Sequence, residues 1–339
     1  MKYAIRVVTA VVVLSLIPAT VLFAAGAAEE TDEQFDLRLA TVVSPPHPWI
    51  DMAEFFAEEV RQRTDGNVNV RIQHSGALGD DEATIDEMRI GTIDFVIGGV
   101  SNAVAFVPEY QITGFPYLYE DLDHFRRVID PDAEFFQALA DAHEERGLGL
   151  RLLALAGGGT RVTSSNLGPL THPDDFDGVR MRLPGNPLEN QVWEAIGAVP
   201  TSLPWGEIYT AVQSDVVSTF ESTVSGFYGS RLYEVAPHQT QTKHQIMISH
   251  FTMSEQTFEQ LPAEYRDIIL EVAREAGELG TDMGAQYDEE LVDEMVEEYG
   301  LNVYEADIDA FVEAVAPLHD ELAEQAGIEH LLEYVRAAQ

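Results

Sequence analysis

Residues 35–97 read FDLRLATVVSPPHPWIDMAEFFAEEVRQRTDGNVNVRIQHSGALGDDEATIDEMRIGTIDFVI. The fold class follows from how apolar positions recur along them. Phe35-Asp36-Leu37-Arg38-Leu39-Ala40 alternates apolar and polar residues, the period of a strand with one buried face. Ser44-Pro45-Pro46-His47-Pro48 is a loop, because its prolines cannot pair regularly. Trp49 to Thr64 then carries Met52, Phe55, Phe56 and Val60 at helical spacing, and Asp65-Gly66 stops the helix. Val68 to Ile72 alternates again. Ser75-Gly76-Ala77-Leu78-Gly79 forms a loop, Asp80 or Asp81 caps a helix that runs to about Ile90, and Gly91 ends it. Ile93 to Ile97 is a short buried strand. Strand, helix, strand, helix, strand in succession predicts an α/β domain with a largely parallel sheet.

The same grammar extends along the chain. Phe115-Pro116-Tyr117-Leu118-Tyr119 is an aromatic connector, and Pro131 to Glu145 is helical. Leu150 to Leu155 reads as a strand followed by Gly157-Gly158-Gly159. Val179 to Leu183 is a strand, Asn186 to Ile196 a helix, and Gly206 to Val217 a further α/β unit. Gln245 to Met253 is strand-like. Pro262 to Glu278 and Ala285 to Glu298 form either one long helix, interrupted only by Gly284, or two. The chain is too long for one simple core, so two α/β lobes with a cleft between them are expected, and ligands of such sheets sit at the carboxyl ends of the strands.

The N-terminus sets an expectation for the compartment. Lys2 and Arg6 precede an apolar run, Val7 to Phe23, and the small residues Ala24-Ala25-Gly26-Ala27-Ala28 follow. This is the plan of a cleavable signal peptide over residues 1–28. With no cysteine in the chain, neither disulfides nor a lipid anchor at the cleavage point is available. A free periplasmic protein is therefore expected. The whole chain has 19 basic and 59 acidic residues, a net charge of −40, and removing Lys2 and Arg6 with the leader makes it −42. Such a field argues against nucleic acid and against anionic lipid surfaces as partners.

Catalytic patterns are missing. His143-Glu144-Glu145 is not a metalloprotease motif, and His238, His244 and His250 have a spacing that suits no zinc site. There is no nucleophile elbow, no phosphate loop, and no carboxylate pair that stands apart from a generally acidic surface. The expectation is a binding protein, not an enzyme, with no metal and no cofactor. Arginine is more informative, since it is scarce and its planar fork pairs bidentately with a carboxylate. Two arginine segments follow or form strands: Gly159-Thr160-Arg161-Val162-Thr163 and Gly178-Val179-Arg180-Met181-Arg182-Leu183-Pro184. Arg180 and Arg182 share a strand face, so periodicity leaves open which of them meets a ligand.

From about Phe35 to about Leu332 the chain resembles the substrate-binding proteins of tripartite ATP-independent periplasmic (TRAP) transporters. The resemblance rests on Ser75-Gly76-Ala77-Leu78-Gly79-Asp80, Gly91-Thr92-Ile93-Asp94-Phe95, Phe115-Pro116-Tyr117-Leu118, Gly178-Val179-Arg180-Met181-Arg182, Gly197-Ala198-Val199-Pro200, Glu207-Ile208-Tyr209-Thr210-Ala211-Val212-Gln213 and Leu261-Pro262. It implies a two-lobed periplasmic-binding-protein fold with long C-terminal helices, which captures a small organic acid by an arginine clamp and domain closure. Residues 35–157 with 246–284 would form one lobe and 158–245 with 285–315 the other, with 316–339 a helical segment packed on them. The resemblance places the main carboxylate-clamping arginine at Arg182 and a supporting one at Arg161. Trp205 falls on an aromatic ligand contact, and Ser222 falls where an asparagine is frequent. His47 and Gly99 belong to the cleft wall, and Phe220 would suit a ligand with an apolar face. The expected partners are the small and large integral membrane subunits of a gradient-driven transporter, served by a monomer. The rival readings are a binding protein of an ABC importer or sensor, and a secreted hydrolase.

Overall fold

The computed structural model describes residues 34–339, so the proposed leader over residues 1–28 lies outside the described residues. The strands are β1 (Phe35–Ala40), β2 (Val68–Gln73), β3 (Phe95–Gly99), β4 (Leu150–Ser165), β5 (Arg180–Leu183), β6 (Val199–Ser202), β7 (Thr219–Thr223), β8 (His238–Ser254) and β9 (Asn302–Glu305). The helices are α1 (Pro48–Arg63), α2 (Asp81–Arg89), α3 (Leu122–Ile129), α4 (Glu134–Glu145), α5 (Pro187–Ala195), α6 (Ile208–Gln213), α7 (Val224–Gly229) and α8 (Glu255–Gln260). They continue with α9 (Ala263–Tyr299), α10 (Ile308–Val315), α11 (Leu318–Ala326) and α12 (Glu329–Ala337).

All the strands join one sheet in the order β2-β1-β3-β8-β4-β7-β5-β6, with β9 paired to β8. The opening β-α-β-α-β reading holds, with parallel pairing of β1 to β2 and β3 and Asp80 as the cap of α2. The other end, β6-β5-β7, is also parallel. The sheet as a whole departs from the largely parallel expectation. β4 and β8 are 16 and 17 residues long, and they run antiparallel to each other and to β7 and β3 respectively. The sequence predicts only Leu150 to Leu155 and Gln245 to Met253 as strands, the first followed by Gly157-Gly158-Gly159. In fact the ladder continues beyond both segments by register shifts, one of them between Gly157 and Thr160. Lys243 adopts a positive φ of 44° within β8, the local kink that a bulge imposes.

α9 resolves the one-helix-or-two alternative. It is continuous over 37 residues and lies across the bulged part of β4. Gly284 does not break it. It permits the crossing: a Cβ there would fall on Gly159 N and 2.8 Å from Gly158 C. Gly159 itself has φ +97°, a conformation that favours glycine. The bulge frees two β4 amides, and α9 receives them: Gly157 N donates to Thr281 Oγ1 at 2.8 Å and Thr160 N to Asp288 Oδ2 at 2.6 Å. Separate apolar clusters flank the sheet. Ile269, Val272 and Ala273 of α9 pack with Phe56, Phe95 and Phe251, while Leu291 and Met295 of the same helix pack with Phe220 and Phe227. In the C-terminal segment, Leu331, Leu332 and Val335 of α12 are buried with Phe125, Leu139 and other residues of a third cluster.

Candidate ligand site

A cavity opens beside the centre of the sheet and holds about 570 Å³ of empty space, including its open mouth. Of the residues singled out in the sequence, it brings together His47, Gly99, Arg161, Arg182 and Trp205. Each is placed by simple alternation. In β5, Met181 and Leu183 turn into a cluster with Phe176 and Trp193, so Arg182 between them faces the other way, toward the cavity. Arg182 is 1% exposed, whereas Arg180, at the strand's outer end, is exposed. Burial thus distinguishes two arginines that periodicity left equivalent. Arg161 is delivered from β4 just past the bulge, opposite Thr223 of β7.

The guanidinium of Arg182 is aimed by the backbone. Its Nε and Nη2 donate to the carbonyl of Leu203 at 2.8 and 2.7 Å, and Trp205 lies 5.9 Å from its Cζ. Nη1 remains, 3.9 Å from Glu221 Oε1. Trp205 is partly exposed and fixed at its edge, where Nε1 donates to Ser230 Oγ at 3.2 Å. His47 caps α1, and its Nδ1 accepts the amide of Trp49 at 3.2 Å. That assigns the ring proton to Nε2, and burial lowers the imidazole to about 3, so His47 is a neutral donor. At Gly99, a Cβ would come 3.0 Å from Met247 Cε and 3.7 Å from Trp49, so glycine leaves the cavity its width there.

Phe220 and Ser222 are not brought to the cavity. Strand β7 places Glu221 and Thr223 on the site's side, and Phe220 and Ser222 on the opposite one. Phe220 stacks on Phe227, 6.1 Å between centroids, inside an apolar cluster. Ser222 is fully buried, and its Oγ has no partner. Neighbouring residues of a strand face opposite sides, so with Glu221 on the site's side Phe220 and Ser222 are turned away.

Glu221 is the residue that the sequence reading missed. It is 0% exposed and forms a two-pronged ion pair with Nε and Nη2 of Arg161. His244 Nε2 lies 3.8 Å away. Burial alone would raise the carboxyl. The charge and hydrogen bonds of Arg161 overcome it and hold Glu221 near 2. The same pair keeps Arg161 above its ordinary range despite its own burial. Arg182 has no such partner, and burial lowers it to about 10, still charged at neutral pH. A signal was present: in Thr219-Phe220-Glu221-Ser222-Thr223 an acid stands inside a strand of small, β-branched and aromatic residues, not on a solvated helix face.

Two more buried acids stand behind this centre. Glu189, in the first turn of α5, is raised to about 8, chiefly by burial and then by Glu221. Asp81, at the start of α2, is raised to about 7 by burial. Asp81 accepts the amide nitrogen of Asn102 at 2.9 Å, which leaves the Asn102 carbonyl oxygen for the cavity. The remaining wall is apolar around Val42, Val43, Trp49, Val100, Met247 and Ile248, with Thr223 and Gln245 as further polar groups. With Glu189 and Asp81 both neutral, the charges of Arg161, Arg182 and Glu221 leave one net positive charge in a desolvated cavity, which suits one carboxylate.

A family model described as bacterial extracellular solute-binding protein, family 7, matches residues 39–326. A solute-binding protein of Sulfitobacter sp. (strain NAS-14.1) is 33% identical over 331 residues, covering 97% of this chain and 98% of that protein. The solved structure of a TRAP periplasmic solute-binding protein of Sulfitobacter sp. NAS-14.1 with bound α-D-taluronate superimposes with a TM-score of 0.83 at 32% identity, covering 89% of this chain and 97% of that one. A TRAP periplasmic solute-binding protein of Chromohalobacter salexigens with bound D-glucuronate gives a TM-score of 0.82 at 26% identity, covering 89% and 100% of the two chains.

Proposed function

Because the chain belongs to family 7 of the bacterial extracellular solute-binding proteins, the TRAP solute-binding family, we propose that it captures one sugar acid of hexuronate type and delivers it to membrane subunits. The family consists of periplasmic binding proteins, not enzymes, that work with membrane components. The reading of the solute rests on one observation: a cavity with a single unbalanced guanidinium, bordered by an indole face and by neutral hydrogen-bonding groups. Arg182 pairs with the carboxylate through Nη1. Arg161, held by Glu221, supports it from the side. His47 Nε2, the Asn102 carbonyl, Thr223 and Gln245 receive hydroxyl groups, and the apolar ring face lies along Trp205 and Trp49. The relatives with bound taluronate and glucuronate support this choice.

Capture works by closure. Residues 35–157 with 246–284 and residues 158–245 with 285–315 act as two lobes that swing about the bulges of β4 and β8, while 316–339 stays packed on them. Closing excludes water, and the ion pair at Arg182 strengthens as the local dielectric falls. The processed protein acts as a free periplasmic monomer that docks on a small and a large integral subunit and does not bind nucleic acid.

A thermal-shift screen of organic acids tests the reading. A hexuronate at a hundred times its Kd should add about 2.7 kcal/mol to the folded state and raise the melting temperature. Shifts given by C4-dicarboxylates or aromatic acids, with none from any hexuronate, would overturn it.

A further inference from the structure

Glu189 is left without a task by the ligand reading. It is 2% exposed. Ser101 Oγ approaches its Oε2 at 3.4 Å, and its Oε1 is buried with no partner. An ionised carboxylate so poorly supported is costly, whereas a neutral carboxyl tolerates the same surroundings far better.

The charges that face it come from every element packed around it. Arg161 of β4 and Arg182 of β5 favour its ionised form, and Glu221 of β7 opposes it. His244 of β8, 5.2 Å from Trp193 on the same helix, is held low by burial. Asp81 of α2 feels Arg182 from another side and is itself pushed up by burial. The segment Pro108–Gly114 also lies against α5, where a Cβ on Gly114 would come 2.9 Å from Glu189 N. Its Glu109 is engaged by Arg146 at 2.6 Å. In α11, His319 is lowered by burial, and Asp320 is paired with Arg336 at 2.6 Å.

The count around the arginines then decides the chemistry. With Asp81 neutral, Arg161 and Arg182 balance Glu221 and an ionised Glu189. A ligand carboxylate adds a negative charge that nothing else offsets, in a place where an unpaired charge costs several kcal/mol. Glu221 keeps its charge through the two-pronged pair with Arg161, so relief falls to the acid with the weakest partner.

We propose that capture of the acid carries a proton with it, and that Glu189 is where the proton is held. This rests on the proposed closure over a carboxylate, because Ser101 and Glu189 belong to opposite lobes and part when the cleft opens. Burial raises Glu189 from its ordinary 4.5 to about 8 in this structure, and hydration on opening the cleft would return it toward the ordinary value. The sign follows. A group raised in the closed form favours closure at low pH, and that contribution is lost as the pH rises through the closed-form value.

The experiment is isothermal titration of the mature protein with D-glucuronate at pH 7, in phosphate, HEPES and Tris buffers. The slope of the observed enthalpy against buffer ionisation enthalpy counts protons. The unmutated protein should take up about one proton per ligand more than Glu189→Gln does. Equal slopes, with both proteins binding, would overturn the proposal and leave the sugar-acid reading standing. Should Glu189→Gln fail to fold, the unmutated protein still decides: its Kd should rise by up to about tenfold per pH unit between pH 6 and 8, and a Kd flat in that range would overturn it. Titrations of D-glucuronate, taluronate and galactonate that all show no binding would overturn the sugar-acid reading and this one with it.

Discussion

Replacing Arg182 by lysine separates charge from geometry. Arginine spends Nε and Nη2 on the Leu203 carbonyl, at 2.8 and 2.7 Å, and this double attachment sets the plane that leaves Nη1 facing the cleft. A lysine ammonium keeps the positive charge but has no plane to fix. It must choose between Leu203 and the ligand. If it stays with Leu203, the ligand loses a charge-assisted hydrogen bond, worth roughly 1.5–3 kcal/mol. That is about a ten- to hundredfold rise in Kd. If it turns to the ligand, the Leu203 carbonyl loses its partners, at about 1 kcal/mol of stability and a fall of about 2 °C in melting temperature for a protein of this size. Calorimetric titration with D-glucuronate, beside thermal melts of the unliganded protein, measures both quantities. An unchanged Kd in Arg182→Lys would refute the assignment of Arg182 to the carboxylate. A collapse of the fold with no separate loss of affinity would show a structural arginine.

Three other outcomes follow from the same geometry. Glu221→Gln removes a carboxylate held near 2 instead of 4.5, a displacement that corresponds to about 3 kcal/mol. Because this carboxyl is depressed, its contribution is present above about pH 4.5 and fades toward pH 2. Urea midpoints of the two proteins should therefore differ most near pH 7 and converge in acid, and a constant gap at every pH would contradict the pairing. Gly284→Ala forces a methyl group onto the β4 backbone, whose Gly158 C would lie 2.8 Å away. It should cost about 1–3 kcal/mol by overpacking, although alanine is the better helix former, and an alanine variant as stable as the parent would show that the crossing can relax. The acidic surface, with a net charge of −40, repels an anion before it reaches Arg182, so stopped-flow association should speed up as salt is added. Association that slows with salt would mean that the local field is attractive.

The sequence was most legible where one period dominated. The β1-α1-β2-α2-β3 succession could be read because each element is short and one-sided. The centre of the sheet was harder, because β4 runs past three glycines and the β4–β8 ladder continues by register shifts that one strand's periodicity does not reveal. Arg161 and Arg182 were visible because basic residues are rare in this chain. Glu221 and Glu189 were hidden for the opposite reason: among 59 acids, two whose significance lies in burial look like all the others. The misplacement of Phe220 and Ser222 has a different origin. All five residues of β7 are buried, so the sequence offers no polar–apolar alternation to tell which face meets the cavity.

The long elements also bear on how this molecule comes apart. β4 supplies Leu150 and Leu155 to one apolar cluster, Leu153 and Ala154 to a second and Val162 to a third, and α9 stitches the second to the third. Neither element can melt without emptying more than one core. The halves proposed to move apart around a solute would thus share a common fate on heating. A scanning calorimeter should record one endotherm whose van't Hoff and calorimetric enthalpies agree. The proposed rocking and the joint melting would depend on the same three crossings, β4, β8 and α9.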